Sequence, residues 1–153
     1  MVLHSATEPR VLAFAEHLAE RHGAHLTILP VGPQEPVLAA HARARASIGV
    51  SISDGVSASF LEALVHGSLP VQSRTATASE WVVDGVSALL VDPHDLAALA
   101  KTLERALTDD HLVDRAADIN ERIARDRLDH RVVSGAIAQG VAELLRSRRR
   151  DAA

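Results

Sequence analysis

Residues 46–72 read ASIGVSISDGVSASFLEALVHGSLPVQ. Small and β-branched residues over 46–52 predict a buried strand. An acid, Asp54, then opens a run of small residues: Gly55, Val56, Ser57, Ala58 and Ser59. From 59 to 66 the apolar residues take a helical spacing, and Gly67 is a stop signal. Residues 69–72 start another strand. Strand, loop, helix and strand within so short a span form a parallel crossover unit, so this stretch predicts an α/β fold with a parallel sheet.

Such a unit has a chemical consequence. Ligands of open parallel sheets sit beyond the carboxyl ends of the strands. The loop at 54–58 would lie there, and the helix after it would aim its unpaired amides and positive dipole end at the same place. Phosphate or pyrophosphate is the natural guest. Ser57 or Ser59 would cap the helix. Asp54 and Glu62 are too far apart to be a simple helical pair, and they share a pocket only if the loop folds back. The same arrangement also occurs in α/β domains that bind nothing there, so these residues alone leave both readings open.

Outward from this unit, the alternation continues. Residues 2–4 read as a short edge strand. Pro9 suits a first helical turn, and Val11, Leu12, Phe14, Ala15, Leu18 and Ala19 follow a helical period that stops near Gly23. A strand is expected over 25–31, ending at Pro30, and a short helix over 37–45. Beyond residue 72, a polar stretch leads to Trp81, with a short helix or turn over 81–83. Asp84-Gly85 signals a turn, and residues 88–91 a strand. Helices are expected over 94–107, 110–126 and 130–147, so the last third is all helical. It would pack on the sheet or reach toward another domain. The chain reads as one α/β domain over 1–153, with 126–153 as a C-terminal helix and basic tail.

Composition narrows the function classes. The 153 residues match the usual size of one domain. A net charge of −4 argues against nucleic acid as a general partner. Cysteine is absent, which fits a reducing compartment. No apolar run reaches the roughly 18 residues of a membrane span, and the first residues lack a signal-peptide profile. A cytoplasmic location is the expectation. Aromatics make up only 2% of the chain, so the core must be aliphatic and stacking platforms are few. Nine histidines include no His-x-x-x-His pair, so no metal site is expected. Asp109-Asp110-His111 reads as a helix start rather than as metal-binding acids. Arg146, Arg148, Arg149 and Arg150 suit a solvated helix end, with peripheral contact to anionic lipid as the alternative.

DGVSASFLEALVHGSLPV resembles the signature of the group 1 (family 4) glycosyltransferases, which have the GT-B fold. There an acid, a Gly and a small-residue stretch precede Leu-Glu-Ala, a Gly and Pro-Val. Glu80-Trp81, Asp84-Gly85 and ALLVDPHDLAALAKTL (residues 88–103) resemble the family's downstream run. The likeness is clearest over 46–125. It implies the C-terminal, nucleotide-sugar-binding domain of a GT-B enzyme that transfers a hexose from a nucleoside-diphosphate sugar with retention and without a bound metal. By this resemblance Asp54 contacts the donor sugar as the catalytic acid position, and Glu62 binds the ribose hydroxyls. Gly55, Ser57, Ala58 and Ser59 bring backbone to the sugar and diphosphate, and Glu80 reaches the nucleotide. Trp81 is read as a packing residue, with a sugar platform as its alternative.

The chain also departs from the pattern. It has room for one Rossmann-like domain where the complete enzyme has two, so the expectation is a domain truncated at its N-terminus. An acceptor domain or a partner chain would have to complete it, and the isolated chain is expected to be inactive. The Arg and Lys that clamp the diphosphate in the family are unmatched: Arg10 and Arg21 lie in or beside the first helix. Arg74 stands at a usual acid position, which changes the loop after residue 72. Two alternatives follow: a non-catalytic nucleotide-sugar-binding or degenerate relative, and an unrelated α/β enzyme such as a sugar-nucleotide epimerase.

Overall fold

Strand β1 (Val2–His4) lies inside a parallel sheet, second from one edge and flanked by β2 (Thr27–Leu29) and β3 (Ala46–Gly49). Next to β3 come β4 (Leu69–Ser73) and β5 (Leu89–Val91), giving the order β2-β1-β3-β4-β5. The computed structural model of the chain describes residues 1–4, 9–29, 33–51, 55–74 and 77–151. The expected edge position of residues 2–4 is therefore corrected. The chain leaves β1 to one side for β2, then returns past it to β3, so β1 is enclosed and β2 takes the edge. Met1 and Val2 are buried, and the terminal amine donates to the His25 carbonyl at 2.7 Å.

Helices α1 (Pro9–Arg21), α2 (Gln34–Arg43), α3 (Ala58–His66), α4 (Leu96–Thr108), α5 (Asp110–Leu128) and α6 (His130–Asp151) complete the architecture. Helix α2 starts earlier than its apolar pattern announces, because Pro36 falls in the first turn, where a missing amide costs nothing. Three helices have clear start signals. The side chains of Ser57, Asp95 and Asp109 accept from the amides of Phe60, Ala98 and Leu112 at the heads of α3, α4 and α5. The Leu112 amide, with Arg105 nearby, holds the Asp109 carboxyl below the usual aspartate range, so Asp109 is a cap. Gly67 ends α3 with φ 77°, a left-handed conformation open to glycine.

The two faces of the sheet differ. Ala46, Ile48 and Val50, Leu69 and Val71, and Leu89 and Val91 join Val11, Leu18, Leu99 and Leu103 in one aliphatic core. Their alternation is the two-residue period of strands buried on that side. The other side is mixed. Phe60, Leu64, Val82 and Leu90 form a second cluster, but next to it β3 and β4 turn Ser47, Gly49 and Gln72 toward α2 and α3. A β-carbon at Gly49 would lie 2.5 Å from the Gln72 amide nitrogen, so the glycine leaves room for that side chain.

Helix α6 is largely solvent-exposed, with Ile137, Leu144 and Leu145 open to solvent. No helix among the described residues is long and apolar enough to cross a membrane.

Candidate functional site

The strand order places a reversal between β1 and β3. In this topology the crevice lies at the carboxyl ends of those two strands. The chain leaves β3 there and reaches α3 through Gly55, Val56 and Ser57. Asp54 lies outside the described residues. Gly55 is exposed, and a β-carbon added to it would meet nothing within 4 Å. Its surroundings are open space, consistent with a backbone surface that faces outward.

Ser57 is the cap: its Oγ accepts from the Phe60 amide at 3.2 Å. The amides of Ala58 and Ser59 are first-turn amides with no carbonyl one turn back, and the helix dipole adds partial positive charge there. Ala58 is exposed, whereas the Ser59 side chain is buried toward the sheet. Glu62 lies one turn after Ala58 on the same face. Its side chain is only 16% exposed. Gln34 of α2 donates through Nε2 to Glu62 Oε1 at 3.0 Å. On the inner side, His41 Nε2 stands 3.7 Å from Glu62 Oε2.

Glu80 ends a single 3-10 turn over Thr77–Glu80 and is exposed. Its carbonyl accepts from Arg127 Nη1 at 2.9 Å, and the Arg127 guanidinium lies 3.5 Å from the centre of the Trp81 ring. Trp81, like Ile123, packs against the cluster that holds Phe60 and Leu64. It is thus a packing residue covered by a cation, and its turn is fastened to α3 and α5.

Arg74 answers the question raised by the loop after β4. Its Nη2 donates to Asp84 Oδ2 at 2.7 Å and to the Leu90 carbonyl at 2.8 Å. Asp84 Oδ1 in turn accepts from the Leu90 amide at 2.9 Å. Burial alone would push the Asp84 carboxyl up. The Leu90 amide and the Arg74 guanidinium together outweigh it and hold the carboxyl below its ordinary value.

Of the sequence-derived residues, the structure brings Gly55, Ser57, Ala58, Ser59 and Glu62 to one sheet edge. It commits Glu80's backbone to a neighbouring turn. His41, Gln34, Ser47 and Gln72 were not read as site residues. A single buried histidine and a glutamine beyond Pro33 carry no spacing signal that would connect them to Glu62. Elsewhere, a groove of about 320 Å³ beside Met1, His25 and Arg45 opens at the amino ends of the strands, the wrong edge for this chemistry. Among the described residues, no group of three or more His, Asp or Glu side chains converges as a metal cage.

The family model described as glycosyl transferases group 1 matches residues 7–109. Sucrose-phosphate synthase from Thermosynechococcus elongatus superposes with a TM-score of 0.73 at 17% identity, covering 95% of this chain and 38% of that one. Anabaena HepE, in complex with UDP, gives 0.71 at 20% identity, with 95% and 48% covered. The C-terminal domain of LpcC, a group 1 glycosyl transferase from Francisella tularensis, gives 0.58 at 18%, with 80% and 66% covered. At these identities the likeness is one of fold, and the chain spans less than half the length of the first two proteins. No curated protein sequence matches it.

Proposed function

The chain belongs to the group 1 glycosyltransferases, with a GT-B type fold, and from that premise we propose that its α3 edge holds the donor for a hexosyl transfer with retention. The donor is a nucleoside-diphosphate sugar. Glu62 accepts from the ribose hydroxyls, and the Ala58 and Ser59 amides with the α3 dipole face the diphosphate. Asp54 contacts the sugar by family resemblance. As the glycosidic bond breaks, negative charge grows on the leaving diphosphate, and preorganised amides stabilise it without reorganising. The reading needs no metal. It does need further cationic groups and an acceptor-binding surface, from a second domain or a partner chain.

One observation carries this reading. A capped helix start, open backbone at Gly55 and a carboxylate held one turn in stand together at the strand-order reversal. Calorimetric titration with UDP, GDP and ADP tests it, with UDP first because HepE was solved with UDP. Saturable binding of at least one nucleotide is expected. The absence of any saturable signal at millimolar ligand would sink the proposal. Binding without transfer, when an acceptor domain is supplied, would favour the non-catalytic alternative.

A further inference from the structure

His41 stands in the last turn of α2 and is only 1% exposed. Its Nδ1 lies 2.8 Å from Ser47 Oγ in β3, and Ser47 Oγ lies 2.7 Å from Ser68 Oγ at the entry to β4. Both serines are buried. Three elements thus contribute to one polar thread beneath α3. A histidine so fully buried needs partners for both ring nitrogens. The Ser47 hydroxyl satisfies Nδ1 in either direction, since it can donate or accept, and the Ser68 hydroxyl completes it. Nε2 faces a carboxylate oxygen of Glu62 at 3.7 Å. A lone pair pointed at that anion would be repelled, so Nε2 carries the proton, whether the ring is neutral or cationic.

This makes the two oxygens of Glu62 unequal. Oε2 points inward to the imidazole, at a distance where attraction is electrostatic rather than a short hydrogen bond. Oε1 points outward, where the exposed Gln34 donates to it. A surface amide can be exchanged for another donor, whereas a buried ring fixed by Ser47, itself tied to Ser68, cannot move away. We propose that His41 is a positioning residue: its imidazole holds the inner oxygen of Glu62, so that the outer oxygen meets the ribose hydroxyls of the donor in place of Gln34. The proposal rests on the reading of Glu62 as the ribose contact. His41 itself does not touch the donor.

The test compares ligands with and without ribose hydroxyls. Whichever of UDP, GDP or ADP binds the wild-type chain is titrated beside its 2′,3′-dideoxy analogue. His41→Phe should weaken the ribonucleotide by about fivefold, the size of one net hydrogen bond. It should leave the dideoxy analogue nearly unchanged. His41→Gln, which keeps a donor and an acceptor, should recover most of the loss. An equal loss for both ligands, or none, would overturn the proposal while leaving the donor site intact. If both variants fail to fold, nitrogen NMR of the wild-type ring decides. The Nε2 resonance should move with the ribonucleotide and stay still with the dideoxy analogue, and a resonance that ignores both ligands refutes the role. A wild-type chain that binds no nucleotide overturns this inference together with the donor reading.

Discussion

Glu62 and Asp84 are two acids in different parts of the fold, and they are held in opposite ways. Asp84 is tied by groups that belong to the sheet. The Leu90 amide and the Arg74 guanidinium occupy its two oxygens, and Arg74 also bonds the Leu90 carbonyl. Glu62 is held by an exposed amide on one oxygen and faced by an imidazole at 3.7 Å on the other. The first acid completes the turn between β4 and β5. The second keeps an oxygen whose present donor can be replaced. A carboxylate serves structure when a backbone amide of the sheet is among its partners, and it can serve a ligand when its one short partner is an exposed side-chain amide.

If that contrast holds, removing Asp84 should mainly cost stability. Asp84→Ala strands the part-buried Leu90 amide and leaves Arg74 with the Leu90 carbonyl but no carboxylate. We expect a loss of about 2 kcal/mol, since an unsatisfied buried donor costs roughly 1–3 kcal/mol. For a chain of this size that is a fall in melting temperature of about 4–8 °C. Thermal and urea melts check it. A variant as stable as the wild type would mean that the clamp is decorative, and the contrast between the two acids would collapse.

Glu62→Ala tests the other side. It should weaken nucleotide binding by at least ~1 kcal/mol, because charge-assisted hydrogen bonds are worth about 1.5–3 kcal/mol. Its stability should also fall, by about 1–3 kcal/mol, because the buried His41 Nε2 loses the carboxylate that it faces. Calorimetry and melts on the same preparation give both numbers. Unchanged affinity in a folded variant removes Glu62 from the site.

How far these roles were readable before the structure differs between the two acids. The crossover 46–72 announced the parallel sheet, and the cap was narrowed to Ser57 or Ser59, of which the structure uses Ser57. Both are local patterns, and local patterns are what a single sequence records. Asp84 was legible only as half of an Asp-Gly turn, and Arg74 only as a departure from a family pattern. Their pairing spans ten residues and depends on β5 lying beside β4. His41 was less legible still, since it meets Glu62 only after α2 and α3 pack over Ser47. The enclosed position of β1 was missed for the same reason: a three-residue strand does not state which neighbours it will have. Long-range contacts are set by how elements pack, and no period in the sequence encodes them.

The smallest effect concerns acid. The folded state holds the Asp84 carboxyl below the ordinary aspartate value, with the Leu90 amide and Arg74 overcoming the cost of burial. Between the folded and unfolded values, the unfolded chain binds more protons, so stability falls as the pH falls through that window. The contribution is complete above the unfolded value of about 4 and is lost as the pH drops through the folded one. Its size should be under ~1 kcal/mol, because the side chain is 39% exposed and solvent screens the pair. Asp84→Asn keeps the shape and removes the titration. Asp109 also titrates low, but it is present in both proteins and cancels. The stability gap between wild type and Asp84→Asn, followed by urea melts, should therefore stay constant above about pH 5 and narrow toward pH 3. A gap that does not change with pH would show that Asp84 acts through hydrogen-bond geometry alone. The contrast with Glu62 would then rest on shape rather than on charge.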